Sequence, residues 1–188
     1  MKSIVAVDEK WGIGKNNSLL FDIKADMRHF VGHTRGKTVI MGSNTLLSLP
    51  GGMPLKNRIN IVLNPDGSDA DAEEKGYILV RSLDQLLAQA AEYEPDNVYV
   101  IGGAMMYRTL LPYCSEAIVT KVRADGDAQV FYENLARSSG HLRNRASLPG
   151  KFRTLHHANP TGWRTDYPQR HLSATQSAAR RSCLHLLT

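Results

Sequence analysis

Short apolar runs alternate with longer mixed stretches along the first 134 residues, and the pattern predicts strands and helices in turn. Lys2–Val7 is rich in β-branched residues and ends in the charges of Asp8 and Glu9, as a buried strand does. Glu9 to Lys24 is rich in Gly, Asn and Lys and predicts a long loop. Loops of that length inside a compact domain are usually functional lids. Ala25–His33 sets Ala25, Met27, Phe30 and Val31 near helical spacing. Thr38–Met41 is a second strand, stopped by Gly42, and Asn44–Leu49 a short helix halted by Pro50-Gly51-Gly52. Ile59–Leu63 is a third strand, closed by the turn sequence Asn64-Pro65-Asp66-Gly67. Tyr77–Val80 is a fourth, after which Ser82 has the character of an N-cap for a helix through Leu83, Leu86, Leu87 and Ala90. Val98–Ile101 is a fifth, followed by Gly102-Gly103 and a helix from Ala104 to Leu111 that ends before Pro112. Glu116–Val122 is a sixth. Strands and helices in this alternation predict one α/β domain, a mainly parallel central sheet with helices on both faces. Such sheets bind ligands at the carboxyl ends of their strands.

From Leu135 onward apolar periodicity of either kind disappears, and Arg, Ser, His, Pro and Thr dominate. The expected organisation is a domain over 1–134 and a poorly structured tail over 135–188 in which no strand is predicted. A chain of 188 residues suits one domain and is short for two. With 42% hydrophobic and 22% charged residues it has the composition of a soluble globular protein. No apolar run approaches the ~20 residues of a membrane span, and the N-terminal apolar stretch is too short for a secretory signal. The expectation is a cytoplasmic protein in which Cys114 and Cys183, which show no motif spacing, stay thiols. The net charge of +5 hides an uneven division. Residues 1–134 hold 14 basic and 17 acidic side chains, and residues 135–188 hold nine basic and one acidic, Asp166. The sequence pI near 9.3 therefore belongs to the tail. Such a tail attracts phosphates, but Phe152, Trp163 and Tyr167 are its only aromatics, so no specific nucleic-acid binding is expected. His156, His157, His171, His185 and Cys183 lack paired zinc-ligand spacing, and no metal is expected.

Two features carry candidate chemistry. Val98–Ile101 runs into Gly102-Gly103 and a helix, an arrangement that lets backbone approach a phosphate. Gly-Gly after a strand is more often a plain turn, but a second glycine turn, Gly42 followed by Ser43-Asn44-Thr45, moves the balance toward a dinucleotide. Asp26 lies in the first turn of the Ala25–His33 helix, where a carboxylate favours the helix dipole and needs no other role. Its neighbours Ala25, Met27 and Phe30 allow a second reading: an acid beside an apolar pocket that binds a protonated heterocycle or helps deliver a proton.

The stretches Ile4-Val5-Ala6-Val7-Asp8, Trp11-Gly12-Ile13-Gly14, Ala25-Asp26-Met27-Arg28-His29-Phe30, Lys37-Thr38-Val39-Ile40-Met41-Gly42, Arg58-Ile59-Asn60-Ile61-Val62-Leu63, Val100-Ile101-Gly102-Gly103-Ala104 with Tyr107, and Leu111-Pro112 to Thr120 together resemble dihydrofolate reductase, in that family's order and spacing. No single stretch is specific; the set is, over roughly residues 1–134. The resemblance implies reduction of 7,8-dihydrofolate to tetrahydrofolate with NADPH, binding of antifolates, a monomer, and no metal. It implies that Asp26 hydrogen-bonds the pterin and supports protonation at N5, that Thr120 buttresses Asp26, and that Ile4 and Phe30 line the pterin pocket. Arg58 matches the arginine that grips a carboxylate of the substrate's tail, a bidentate task that lysine does not match. Ala6, Ile13 and Gly14 match residues facing the nicotinamide. Gly42, Ser43, Asn44 and Thr45 match one phosphate-binding turn, and Ile101, Gly102, Gly103, Ala104, Met105 and Tyr107 the other, its Gly-Gly peptide cis in the family. Leu63, Asn64 and Arg81 complete the implied cofactor set, and Glu9–Lys24 matches the lid over the nicotinamide.

Four departures stand beside the resemblance. Leu20-Phe21 replaces the family's frequent Pro-Trp, and Lys24 the proline before Ala-Asp. Ser43 stands where many members have an arginine for the 2′-phosphate of NADPH, and Arg81 could supply part of that charge. The tail shows none of the two long antiparallel strands with which members continue, so the antiparallel edge is expected to be missing or disrupted. The abrupt change of composition suggests a reading frame that slipped near Leu135; an uninterrupted frame in the source DNA contradicts this. Two other functions compete: the related pyrimidine reductase of riboflavin synthesis, which shares fold and cofactor, and an inactive remnant of the family.

Overall fold

Val39, Ile40 and Met41 are wholly buried in sequence, which requires a strand covered on both faces, and the sheet around them is built that way. The computed structural model describes residues 1–135 and the backbone course of 151–159 and 162–163. In chain order the strands and helices are β1 (Lys2–Val7), β2 (Gly12–Lys15), β3 (Ser18–Leu19), α1 (Lys24–Thr34), β4 (Thr38–Gly42), α2 (Ser43–Ser48), β5 (Ile59–Leu63), α3 (Asp69–Lys75), β6 (Ile78–Val80), α4 (Leu83–Ala91), β7 (Val98–Gly102), α5 (Ala104–Leu110), β8 (Glu116–Val122), β9 (Val130–Phe131), β10 (Lys151–Asn159) and β11 (Gly162–Trp163). The main sheet has the order β11-β10-β8-β1-β7-β4-β5-β6. Its six central strands are all parallel, as predicted.

Alternation along the strands divides the core in two. On one face Val5, Val7, Ile40, Ile61, Val100 and Val119 pack with Leu86 of α4 and Leu110 of α5. On the other, Ile4, Val39, Met41, Val62 and Ile118 pack with Leu46 of α2 and Phe30 of α1. All six carboxyl ends therefore open on one edge, between the helices of the two faces.

Three expectations are corrected. Glu9–Lys24 is not loop throughout: β2 and β3 form a hairpin, Gly14 opposite Leu19 and Lys15 opposite Ser18. Its two-residue turn is Asn16-Asn17, both at positive φ (50° and 55°), the backbone of a type I′ turn. The helix α3 was not predicted, because Ala72 is its one buried residue and no apolar stripe marks it. Its ends are nonetheless capped, by Ser68 accepting from the Asp71 N–H and by Gly76 in the left-handed conformation.

The third concerns the tail, where no strand was expected. β10 pairs with β8, and in parallel, Lys151 against Glu116 through Ala158 against Val122, with the register shifting between Thr154 and His156. The antiparallel edge is reduced to two pairs, Ala158–Trp163 and Asn159–Gly162. The physical reason lies in β8, whose outer edge presents a row of N–H and C=O groups that a neighbouring backbone satisfies without regard to side-chain pattern. The candidate zinc ligands and the aromatics of the tail have side chains that lie outside the described residues.

Candidate active site

Asp26, Phe30 and Thr34 are spaced by four on α1 and share one of its faces. The start of the helix is fixed by Ile23 and Ala25 packing on Val122 at the end of β8, with Phe21 and Ala124 beside them. Phe21, in the place of the family's frequent tryptophan, is thus a packing residue. Lys24 costs little at the helix start, because the Met27 N–H still reaches the Ile23 carbonyl at 3.0 Å. Along β8, Ile118 joins the cluster containing Ile4, and Val122 the cluster containing Ala25. Thr120 lies between them on the same face, buried and in register with Ala6 of β1. Asp26 shares its face of α1 with Phe30, which packs with Ile4 and Ile118 on the sheet face that Thr120 also occupies. Its charge reaches Tyr107, whose hydroxyl is held far above its ordinary range by burial first, then by Tyr132 and Asp26.

Arg58 reaches α1 from the segment before β5. Its guanidinium lies 5.8 Å from the centre of the Phe30 ring. Nε donates to Thr34 Oγ1 at 3.0 Å and Nη1 to the Lys56 carbonyl at 2.8 Å. Burial, and then the charge of Arg35, pull the Arg58 pKa down. Two residues that the sequence did not single out do this positioning. Thr34 is fully buried and donates its own hydroxyl proton to the Phe30 carbonyl at 2.8 Å, leaving its oxygen to accept from Arg58. Asn60 accepts from the Leu55 N–H at 3.0 Å and donates to the carbonyls of Leu55 and Arg58, at 2.9 and 3.1 Å, which fixes the loop. Thr34 was legible as the next position on the Asp26–Phe30 face. Asn60, a buried amide inside an apolar strand, was legible as a polar residue in need of partners.

The two glycine turns meet. β4 and β7 are neighbours, with Met41 opposite Gly102. The Gly102–Gly103 peptide is cis, as the resemblance implied, and Gly102 has φ of 135°. A Cβ on Gly102 would stand 3.3 Å from Thr45 Oγ1, and one on Gly103 3.4 Å from the same atom. A Cβ on Gly42 would stand 3.2 Å from Met106 Cγ. Close packing thus favours glycine at these positions, and it draws the Ser43–Thr45 and Gly102–Ala104 segments together. Ile101 is half-buried and Met105 is exposed beyond it. Tyr107 stands apart from the rest of that set: its hydroxyl donates to the Ile4 carbonyl at 2.8 Å, tying α5 to β1. Leu63 and Asn64 are half-buried at the end of β5, and Arg81 follows β6.

Ile13 and Gly14 lie in the small sheet β3-β2-β9. That sheet is tied to the segment 124–129 by Asp8, whose place in the sequence marks only the end of β1. Asp8 is fully buried, and its carboxylate accepts from the N–H of Lys10 at 2.8 Å, Gly12 at 2.7 Å and Gly126 at 3.2 Å. Lys10 pairs with Asp125 and Lys15 with Asp127, each at 2.6 Å, and the Gln129 N–H reaches the Gly14 carbonyl at 3.0 Å. Trp11 stacks on Tyr132 behind this, ring centres 6.4 Å apart.

The sequence model of the dihydrofolate reductase family matches residues 1–151. Dihydrofolate reductase of Bacillus subtilis (strain 168) is 34% identical over 139 residues, 74% of this chain and 79% of its own length. Dihydrofolate reductase type 3 of Salmonella typhimurium is 31% identical over 151 residues, 76% of this chain and 89% of its own length. Among solved structures, dihydrofolate reductase from Enterococcus faecalis complexed with NADP(H) and RAB-propyl is 31% identical, with a TM-score of 0.62, over 71% of this chain and 76% of that one.

Proposed function

The chain belongs to the dihydrofolate reductase family, and from that premise we propose that it reduces 7,8-dihydrofolate to 5,6,7,8-tetrahydrofolate with NADPH. The observation that carries the reading is the placing of Arg58, held by Thr34 and set against Phe30 on the face of α1 that also bears Asp26. Asp26 holds the pterin and raises the basicity of N5, which takes its proton from water. Thr120 supports that carboxylate from the floor of the cleft. Ile4 and Phe30 sandwich the apolar part of the ring system, and Arg58 grips a carboxylate of the tail. Gly42, Ser43, Asn44 and Thr45, with Ile101, Gly102, Gly103, Ala104 and Met105, would hold the dinucleotide's phosphates, with Tyr107 bracing that turn. Leu63, Asn64 and Arg81 would hold its adenosine end, and Ala6, Ile13 and Gly14 its nicotinamide. When bound, NADPH supplies a hydride from C4 of the nicotinamide to C6 of the pterin. The Glu9–Lys24 segment, latched through Asp8, excludes water from that contact.

The pyrimidine reductase of riboflavin synthesis would also use a nicotinamide cofactor, but a carboxylate-gripping arginine beside the acid favours the folate. Antifolates separate the two. A saturating antifolate, at about a hundred times its Kd, should stabilise this chain by about 2.7 kcal/mol and raise its melting temperature by several degrees. A melting temperature that antifolates leave unmoved refutes the folate reading.

Thr34→Val tests how Arg58 is positioned. Losing the Nε anchor should raise KM for dihydrofolate about fivefold, near 1 kcal/mol, with kcat little changed. Steady-state kinetics decide it; a fall in kcat alone would place the role of Thr34 elsewhere.

The same proposal takes 1–134 as the domain that carries the site and the tail from 135 as a shifted frame, since β10 runs parallel to β8 where family members continue with antiparallel strands. No helix among the described residues is long and apolar enough to cross a membrane. Burial pushes the Cys114 thiol up to about 12, which keeps it protonated and unreactive.

A further inference from the structure

β1 and β7 pair only at Lys2–Tyr99 and Ser3–Val100. Beyond Ser3 the two strands part, and a side chain of α5 bridges them. Tyr107 donates its hydroxyl proton to the Ile4 carbonyl at 2.8 Å, while its own N–H reaches the Gly103 carbonyl at 2.9 Å. One residue thus joins the glycine turn proposed for the dinucleotide to the strand that carries Ile4 of the proposed pterin pocket.

Tyr107 does not hold that position alone. The Tyr132 ring meets it edge to face, ring centres 5.0 Å apart and planes at 71°. Tyr132 is 3% exposed, and its hydroxyl shares a hydrogen bond of 2.9 Å with Ser3 Oγ, on the residue before Ile4. Burial pushes both phenols above their ordinary range, so each keeps its proton. Tyr132 also stacks on Trp11, ring planes 15° apart, and donates its N–H to the Trp11 carbonyl at 2.8 Å. Trp11 stands directly before β2 with φ of 69°, a left-handed backbone that a bulky side chain keeps only where its surroundings impose it. The Lys121 ammonium, 5.0 Å from the centre of a Trp11 ring, adds a cation–π contact.

Three parts of the site therefore meet on one buried phenol: the Glu9–Lys24 segment, the dinucleotide turn and the strand under the pterin. Side chains so packed shift together, because a close-packed interior has no free volume to absorb a displacement. We propose that Tyr132 is a positioning residue that couples the two ligand sites. With the cofactor bound, its contact with Tyr107 holds the Ile4 carbonyl where the pterin requires it, and the pterin in turn favours the cofactor. This rests on the reading of the chain as a dihydrofolate reductase.

The test is calorimetric titration of dihydrofolate into the full chain with and without NADP⁺, which carries no hydride and so forms an unreactive ternary complex. The ratio of the two affinities measures the coupling. It should be about tenfold in the unaltered chain and fall below about twofold in Tyr132→Leu. Tyr132→Phe keeps the ring and should retain most of it. Tyr107→Phe should lose the coupling as Tyr132→Leu does, and the double variant should lose no more than either alone. Circular dichroism checks that each variant is folded. Should Tyr132→Leu not fold, Tyr132→Met, whose flexible side chain fills the space without a ring, takes its place. A coupling left unchanged while only the melting temperature falls makes Tyr132 a packing residue and overturns the proposal, and the reductase reading stands. So does an unaltered chain that binds the two ligands independently. Failure of the unaltered chain to bind dihydrofolate under either condition overturns both.

Discussion

Asp26→Asn should lower turnover of dihydrofolate near neutral pH by about a hundredfold or more, the range of a lost general-acid function. The deficit should shrink as the pH falls, because solvent then protonates N5 without help from the carboxylate. The substitution is nearly isosteric. It removes a helix-start charge worth about 0.3–1 kcal/mol, so the fold should persist, and KM should change less than kcat. Rates of the two proteins from pH 5 to 8 measure this. Equal rates near neutral pH would return Asp26 to the plainer reading, an acid that only stabilises the first turn of α1.

The second large effect lies away from the reacting atoms. Asp8→Ala should destabilise the chain by about 3–5 kcal/mol, because three N–H groups lose the buried acceptor they share. At about 2–4 °C per kcal/mol for a chain of this size, the melting temperature should fall by about 10 °C. Gly12→Ala should act similarly by another route. Its Cβ would stand 2.2 Å from Ala128 Cβ and 2.8 Å from Asp8 Oδ2, so β2 or the 124–129 segment must shift. Thermal unfolding followed by circular dichroism checks both. An Asp8→Ala protein within about 1 kcal/mol of the parent would mean that the carboxylate merely ends a strand.

The six parallel strands were legible because each is a short β-branched or aliphatic run bounded by glycine, proline or charge, and all six lie within a residue or two of their predicted bounds. The hairpin β2–β3 was not, since only Gly14–Leu19 and Lys15–Ser18 pair across it and no alternation survives in so short a ladder. Asn16-Asn17, two residues that tolerate positive φ side by side, was the available signal. Helix α3 was hidden by its composition, four acids, two alanines and one lysine, although Ser68 and Gly76 mark its ends. β10 was invisible because its partner's open edge, rather than its own pattern, calls for it.

Of the site, the glycine turns and Asp26 were legible as positions, each with a plain alternative. Strand parity settles what they face: Ile118, Thr120 and Val122 alternate toward α1, and Val119 away from it. No local pattern reveals that Thr34 on α1 will anchor an arginine 24 residues later. Nor does any local pattern reveal that Asp8 will accept from Gly126, since both bonds join segments brought together only by the sheet. Arg81 was visible as a charge, and its ion pair with Asp69 was not, because no apolar stripe marks α3.

The most direct test of the central claim is the absorbance of NADPH at 340 nm with the full 188-residue chain, in the presence and absence of dihydrofolate. The account predicts NADPH oxidation that requires dihydrofolate and is blocked by a saturating antifolate. A preparation that is folded by circular dichroism and binds NADPH, yet shows no folate-dependent oxidation, would contradict it and leave the chain an inactive remnant of its family.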